Sequence, residues 1–437
     1  MNHKLTYHIW TIGCQMNVAD SERLGAALES LGCEAVAEIE SADVIVLNSC
    51  VVRQGAEDKA AGRLSSLKPL KQAHPEKIVA LMGCMVGPNS QELERRFPHT
   101  DCFMRPQEFG PLLRLVEARA GTCLDSSLPL VPSRPSVTTF VPISHGCDKF
   151  CTFCIIPYRR GRDRSRPMDE LVREVALLAK RGVKEVTLLG QNVDSYGHDL
   201  AGKPDLADLL TAVDGVAGIK RVRFLTSHPN DMSERIIDAV ARLPKVCEFI
   251  NLPVQAGDND VLAAMHRGYT REEYLALVGR IRAAMPGVGL TTDIIVGFPG
   301  ETREQFQRTV DLVLEVRFDK VHAAMYSTRP GTMAHRKLAD DVDAEEKKRR
   351  HAVLEETQAE IALASHQRMV GATEEVLIEE ERDGRWQGRT RSNKLVYVHG
   401  GERRHGELAQ VRIIAATPWS LQGEAVERRA TALAMAD

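Results

Sequence analysis

Three times in the first 84 residues an apolar run of strand character ends on a small residue followed by cysteine. Residues 7–12 lead to Gly13-Cys14, residues 43–48 to Ser49-Cys50, and residues 78–82 to Gly83-Cys84. The stretches 18–31 and 54–72 carry helical periodicity, so the order is strand, helix, strand, helix, strand. Strands joined by helices build a parallel sheet whose strand C-termini share one edge, and α/β proteins place their ligands at that edge. Cys14, Cys50 and Cys84 are therefore expected to meet in space as three thiols able to hold a metal cluster. The competing reading is three separate, half-buried thiols.

The alternation resumes near residue 136. Strand-like runs at 138–144, 185–189, 222–225, 248–252, 290–296 and 320–326 are separated by helical stretches such as 169–181 and 271–284. Six β/α units predict an open, partial (β/α)6 barrel, in which chemistry gathers on the loops after the strands. Those loops are polar or glycine-rich: Gly190-Gln191-Asn192, Thr226-Ser-His-Pro229, Pro253-Val-Gln255, Gly297-Phe-Pro-Gly300 and Ser327-Thr-Arg-Pro-Gly331. Turn chemistry alone explains any one of them; five at the same strand end point to a site.

The start, MNHKLTYHIW, has no apolar segment or small-residue cleavage site, and no later stretch approaches the roughly 18 apolar residues of a membrane span. We therefore expect a cytoplasmic protein with no membrane partner, where ten cysteines are ligands or reactive thiols rather than disulfides. Only Cys147-Asp-Lys-Phe-Cys151-Thr-Phe-Cys154 is tightly spaced. Three thiolates on one loop suit a cubane iron-sulfur cluster with one iron left open to a small molecule. A structural zinc site needs a fourth ligand, for which His145 is the near candidate. Cys33, Cys102, Cys123 and Cys247 are expected simply to pack.

At about 150 residues per domain, 437 residues make roughly three units, which we place at 1–125, 133–365 and 368–432. Lys+Arg 57 against Asp+Glu 60 excludes binding of nucleic acid by bulk charge, though not by local patches. Two patches stand out. Arg159, Arg160, Arg162, Arg164 and Arg166 follow Cys154 closely, with Tyr158 available to stack on a base. Between Arg382 and Arg404 seven Lys/Arg face two Asp/Glu, with Trp386 and Tyr397 interleaved, and Arg389 and Lys394 are taken as RNA contacts. The surrounding short runs 376–378, 388–390, 394–398 and 409–414 read as a small β-barrel of a kind that binds RNA or mediates oligomerisation. Residues 340–360 alternate in charge sign and are expected to form an exposed helix bridging two units.

Together these motifs resemble the radical S-adenosylmethionine methylthiotransferase family. Cys147-x3-Cys151-x2-Cys154 is similar to the signature whose open iron is chelated by the amino and carboxylate groups of S-adenosylmethionine. Thr11-Ile-Gly-Cys14-Gln-Met-Asn17, Asn48-Ser-Cys50-Val-Val-Arg53 and Gly83-Cys84-Met85 resemble the N-terminal domain in which three cysteines hold an auxiliary 4Fe-4S cluster, and the last segment resembles the TRAM domain. Residues 154–162, Gly190-Gln-Asn-Val-Asp-Ser-Tyr196, Thr226-Ser-His-Pro229 and Tyr326-Ser-Thr-Arg-Pro-Gly-Thr332 look most like the MiaB type, which acts on isopentenyl-adenosine next to the anticodon. Relatives acting on a ribosomal-protein aspartate usually carry Ser in place of Tyr158 and Gln-Asp in place of Gln191-Asn192; threonylcarbamoyl-adenosine is the other alternative target.

The resemblance implies two 4Fe-4S clusters. The first would cleave S-adenosylmethionine to a deoxyadenosyl radical, and a sulfur at the second would be methylated and passed to carbon 2 of the base. By position, Gln191 and Gly297 would contact S-adenosylmethionine. It also implies three partners: a tRNA anticodon stem-loop, a reductant such as flavodoxin or ferredoxin, and a sulfur donor. An iron-sulfur RNA-binding regulator without turnover is the reading from another class, and the complete second cysteine set speaks against it.

Overall fold

A computed structural model describes residues 4–51, 54–123, 129–400 and 405–426. Val52 and Arg53 of the second cysteine motif, residues 124–125 of the first expected unit, Glu402, Arg403 and Arg404 of the basic stretch, and residues 427–432 lie outside the described residues.

The first unit is a parallel sheet of β1 (Thr6–Ile12), β2 (Glu34–Ala35), β3 (Val44–Ser49), β4 (Ile78–Gly83) and β5 (Cys102–Met104), in the order β2-β1-β3-β4-β5. Both central strands are buried at every position, because helices cover both faces. Val44 and Val46 pack with Leu24 and Leu28 of the helix Gln15–Ser30 and with Leu112 of Gly110–Ala120. Ile45 and Leu47 point the other way, onto Ala60 and Leu64 of Gln54–Ser66. The expected helix 54–72 is two helices, Gln54–Ser66 and Lys68–Ala73, parted where Pro69 withdraws a backbone donor.

The second unit contains β6 (Thr138–Pro142), β7 (Ser144–His145), β8 (Arg164–Ser165), β9 (Glu185–Leu189), β10 (Arg221–Phe224), β11 (Phe249–Asn251), β12 (Gly289–Val296) and β13 (Lys320–Met325). Two parallel sheets, β6-β9-β10 and β11-β12-β13, are joined by a parallel bridge of Val222 to Val246, with Cys247 N donating to Val222 O at 2.9 Å. The six strands form the expected partial barrel, and no pairing joins β6 to β13 among the described residues. The helix Gln15–Ser30 of the first unit lies along β6, its Met16 and Ala19 packed with Leu189.

The third unit is a closed barrel, β14 (Thr373–Arg382), β15 (Arg385–Thr390), β16 (Leu395–His399), β17 (Leu408–Ala416) and β18 (Leu421–Ala425), ordered β14-β15-β16-β18-β17. β18 escapes sequence reading because Leu-Gln-Gly-Glu-Ala has one large apolar residue. The charged segment before the barrel is the helix Ala344–Gln367, and it is not exposed all round: Lys347, Arg350, Leu354, Gln358 and Ile361 are buried against the second unit. Sign alternation concealed this face because its charges pair inward, Arg350 with Glu301 at 2.7 Å and Lys347 with Asp340 at 2.5 Å.

Docking of this barrel corrects the RNA reading of Lys394. It sits under the N-terminal ends of the second unit's strands, the end opposite the polar loops. Arg221, fully buried at the start of β10, donates to Arg389 O at 2.7 Å and Glu375 O at 2.8 Å. Arg223 donates to Thr390 O at 2.7 Å, and Arg391 pairs with Glu248 at 2.8 Å. Lys394 is an interface ion-pair partner of Asp319, its side chain 9% exposed, and so is withdrawn from RNA. Arg389 gives its carbonyl to the docking contact and its guanidinium faces Glu379 at 3.7 Å. Removing one partner of a buried charge network costs about 3–5 kcal/mol. Arg221→Met is expected to destabilise the chain by about 3 kcal/mol and to free the barrel, measured by thermal unfolding and by proteolysis after Gln367.

Candidate functional site

In the first sheet, Ile12 pairs with Ser49 and Ser49 with Gly83, so β1, β3 and β4 end level and release Cys14, Cys50 and Cys84 side by side. The approach is close enough to exclude side chains: a Cβ on Gly83 (φ +105°) would lie 2.3 Å from Ser49 O, and one on Gly13 would lie 2.9 Å from the Cys50 Cβ. Buried amides brace the edge. Asn17 donates to Asn48 Oδ1 at 2.9 Å and Ser49 O at 3.1 Å, and Asn48 donates back to Asn17 O at 2.7 Å. Cys14 is exposed at the start of the helix Gln15–Ser30, whereas Cys50 and Cys84 are buried.

The second cysteine set lies on the loop after β6, closed at its neck by the antiparallel pair β7-β8. Cys147 N donates to Gly161 O at 3.1 Å, Cys154 N to Cys151 O at 3.0 Å, and Thr152 N to Met265 O at 3.0 Å. Lys149 pairs with Asp231 at 2.6 Å, and Asp231 also accepts from Asn192 at 2.6 Å, which ties the loop to the turns after β9 and β10. Arg267, 5% exposed, donates to Cys151 Sγ at 3.2 Å, Tyr269 Oη at 2.9 Å and Pro253 O at 2.8 Å.

The two cysteine edges face one seam. Ile155, next to Cys154, shares a buried apolar cluster with Cys84 and Val51, against which Tyr158 packs. Arg160 is 5% exposed, and its Nε donates to Cys84 Sγ at 3.2 Å while Nη2 donates to Asp20 at 3.1 Å. It is thus a seam residue rather than an RNA contact, because the first unit closes over it. Arg162 and Arg164 stay on the surface, their side chains 68% and 66% exposed. With Arg105, Arg159, Arg160 and His145 they line a cavity of about 490 Å³ beside the seam. His145 therefore belongs to this cavity, and among the described residues no three His, Cys, Asp or Glu side chains converge on a single metal ion.

Gln191 is half-buried in the turn after β9. Gly297, in the turn after β12, donates its N–H to Glu301 at 2.6 Å, and a Cβ there would meet Lys347 Cγ at 2.4 Å. Cys33, Cys102 and Cys247 pack in cores as expected, but Cys123 is exposed beyond the helix Gly110–Ala120 and is no core thiol. Sequence reading missed Arg267, Asp231 and Asp20, and it quoted Arg329 only as part of a polar loop motif. The first three belong to no recognisable spacing; Arg267 is 116 residues from the cysteine it touches.

The donor sets fit iron-sulfur clusters in their chemistry. Burial pushes the Cys84 thiol up to about 11 against the pull of Arg160, and burial with neighbouring thiols pushes Cys147 to about 11 and Cys154 to about 12. Such thiols ionise when a bound cation takes up the charge. Burial, with Arg267 and Lys149 nearby, drives His228 down to about 2, so it stays neutral. Buried Asp194 accepts from Ser227 Oγ and His228 N, both at 3.0 Å, yet burial raises its carboxyl from 3.8 to about 7. The folded state holds this proton more tightly than the unfolded chain. Its contribution to stability is therefore complete below pH 3.8 and lost as pH rises to about 7. Asp194→Asn is expected to flatten that decline in thermal unfolding profiles between about pH 4 and pH 7.

A parallel-sheet unit, a partial barrel with three cysteines on its first strand-following loop and a small closed barrel together define a radical S-adenosylmethionine protein. Residues 141–313 match the radical SAM superfamily, residues 6–105 the uncharacterized protein family UPF0004, and residues 367–426 the TRAM domain. The tRNA-2-methylthio-N(6)-dimethylallyladenosine synthase of Chloroflexus aurantiacus is 49% identical over 425 residues, covering 95% of this chain and 91% of that protein. The synthase so named from Roseiflexus sp. is 50% identical over 422 residues, covering 95% and 89%. The chain belongs to the tRNA-2-methylthio-N(6)-dimethylallyladenosine synthase family. The radical S-adenosylmethionine methyltransferase TsrM from Kitasatospora setae shares the fold, with TM-score 0.56 at 14% identity over 87% of this chain and 81% of that one.

Proposed function

We propose that this protein adds a methylthio group to carbon 2 of isopentenyl-adenosine beside the anticodon of tRNA, using S-adenosylmethionine and two 4Fe-4S clusters. The observation that carries the reading is the delivery of two sets of three cysteines, from two separate parallel sheets, to one seam. Carbon 2 of adenine carries an unactivated C–H bond that no side-chain base opens, and the clusters with S-adenosylmethionine supply the radical and sulfur chemistry when bound.

In this reading Cys147, Cys151 and Cys154 hold one cluster with an iron open to S-adenosylmethionine, and Cys14, Cys50 and Cys84 hold the other. Gln191 lies at the cofactor edge. Ile155, Tyr158 and Val51 form an apolar wall between the sets that keeps water out. Arg105, Arg159, Arg162 and Arg164 offer guanidinium groups to the phosphates of an anticodon stem-loop. The working units run over residues 1–125, 133–365 and 368–432. Among the described residues no helix is long and apolar enough to cross a membrane, and we place the reaction in the cytoplasm, served by a reductant such as flavodoxin or ferredoxin and by a sulfur donor.

The reading is tested by nucleoside mass spectrometry of tRNA from a deletion strain. The methylthio group on isopentenyl-adenosine should vanish and return with this chain; a return on another nucleoside, or none, overturns the substrate. Reconstituted protein should carry about eight irons. Cys151→Ala should abolish deoxyadenosine formation, whereas Cys50→Ala should retain part of it and lose thiolation. Arg162→Ala with Arg164→Ala should weaken tRNA binding and lower the salt dependence by about one unit for each phosphate left without its guanidinium.

A further inference from the structure

The thiols of the two cysteine sets are served by buried arginines in different ways. Arg267 comes from the same unit as Cys151, and all three of its guanidinium nitrogens have partners. Arg160 and Arg329 instead come from the second unit and reach the cysteine edge of the first. Arg160 uses Nε on Cys84 and Nη2 on Asp20, and its Nη1 is buried with no partner. Arg329, 5% exposed in the loop after β13, donates to Gln54 Oε1 at 2.9 Å and lies 3.9 Å from Glu57, while its Nε and Nη2 are buried with no partner. Gln54 begins the helix that follows the Cys50 loop. Buried polar groups are almost always hydrogen-bonded, so these three guanidinium nitrogens, one on the arginine that touches Cys84 and two on the arginine that holds the helix after the Cys50 loop, call for an acceptor.

We propose that Arg160 and Arg329 are positioning residues of the second unit that complete the environment of the cluster on Cys14, Cys50 and Cys84, donating N–H bonds to its anionic sulfur and holding its reduction potential up. The inference rests on the two-cluster reading above. A cluster on three thiolates is anionic and gains negative charge on reduction, and N–H donors in a low-dielectric seam stabilise the reduced form most. Because the donors cross the seam, this environment is complete only while the two units are docked. Arg160 also follows Cys154 by six residues, so one short segment carries a ligand of one set and a donor to the other.

The test is a redox titration of the reconstituted full chain, followed by electron paramagnetic resonance. A background with Cys147, Cys151 and Cys154 all changed to Ala isolates the other cluster. R160M and R329M should each shift that cluster's midpoint potential to more negative values, and in the otherwise unaltered chain the potential of the Cys147 set should not move. R267M should do the reverse. R160K keeps the charge without the planar fork and should give a smaller negative shift, which serves where R160M fails to fold by thermal unfolding. Unchanged potentials in folded R160K and R329M, or equal shifts of both clusters, overturn the proposal. Binding of only about four irons by the unaltered chain would instead overturn the two-cluster reading itself.

Discussion

Everything chemical in this protein depends on parallel strands ending level. In a parallel pair the hydrogen bonds repeat evenly along the strands, and the register that sets Ile12 beside Ser49 and Ser49 beside Gly83 brings three cysteines to one line from widely separated places in the chain. Glycine at positions 13 and 83 is what lets the line close, since a side chain at either would strike its neighbour. The second unit applies the same constraint to β6 and β9, from whose C-terminal ends the Cys147 loop and the Gln191 turn emerge together.

Buried guanidinium groups then fix how the three units sit. At the C-terminal end of the barrel strands Arg160 enters the first unit to meet Asp20 and Cys84; at the N-terminal end Arg221 and Arg223 enter the small barrel and satisfy its carbonyls. A desolvated charge tolerates few geometries, because any other leaves it without partners, so these interactions specify orientation as well as adhesion. One consequence is that the small barrel lies across the second unit from the cysteine seam.

The strands and the two cysteine sets were legible because period and end-point are local properties of a sequence. Residues 185–189 and 271–284 carry such clear periodicity that the observed β9 and the helix Arg271–Ala284 coincide with it. The basic residues were not legible in the same way. Arg159, Arg160 and Arg162 look alike in a run, yet one is sealed in a seam and another is largely exposed, according to what the distant first unit covers. Lys394 looks like part of an RNA face and is instead committed to docking, and Arg389 gives its carbonyl to the same contact. Nor does the sequence reveal that Gly297 packs against Glu301 and Lys347, the latter from a helix some fifty residues on.

By itself, then, the sequence determined the three architectures, the spacing of Cys147, Cys151 and Cys154, and the placement of Cys14, Cys50 and Cys84 at strand ends, since hydrophobic period and short-range spacing act over a few residues. Only the tertiary structure decided which charges are desolvated, which arginine reaches which sulfur, and which face of each unit is left to a partner. Those depend on burial, and burial is created by packing between segments more than a hundred residues apart, such as Arg267 with Cys151 and Arg160 with Asp20.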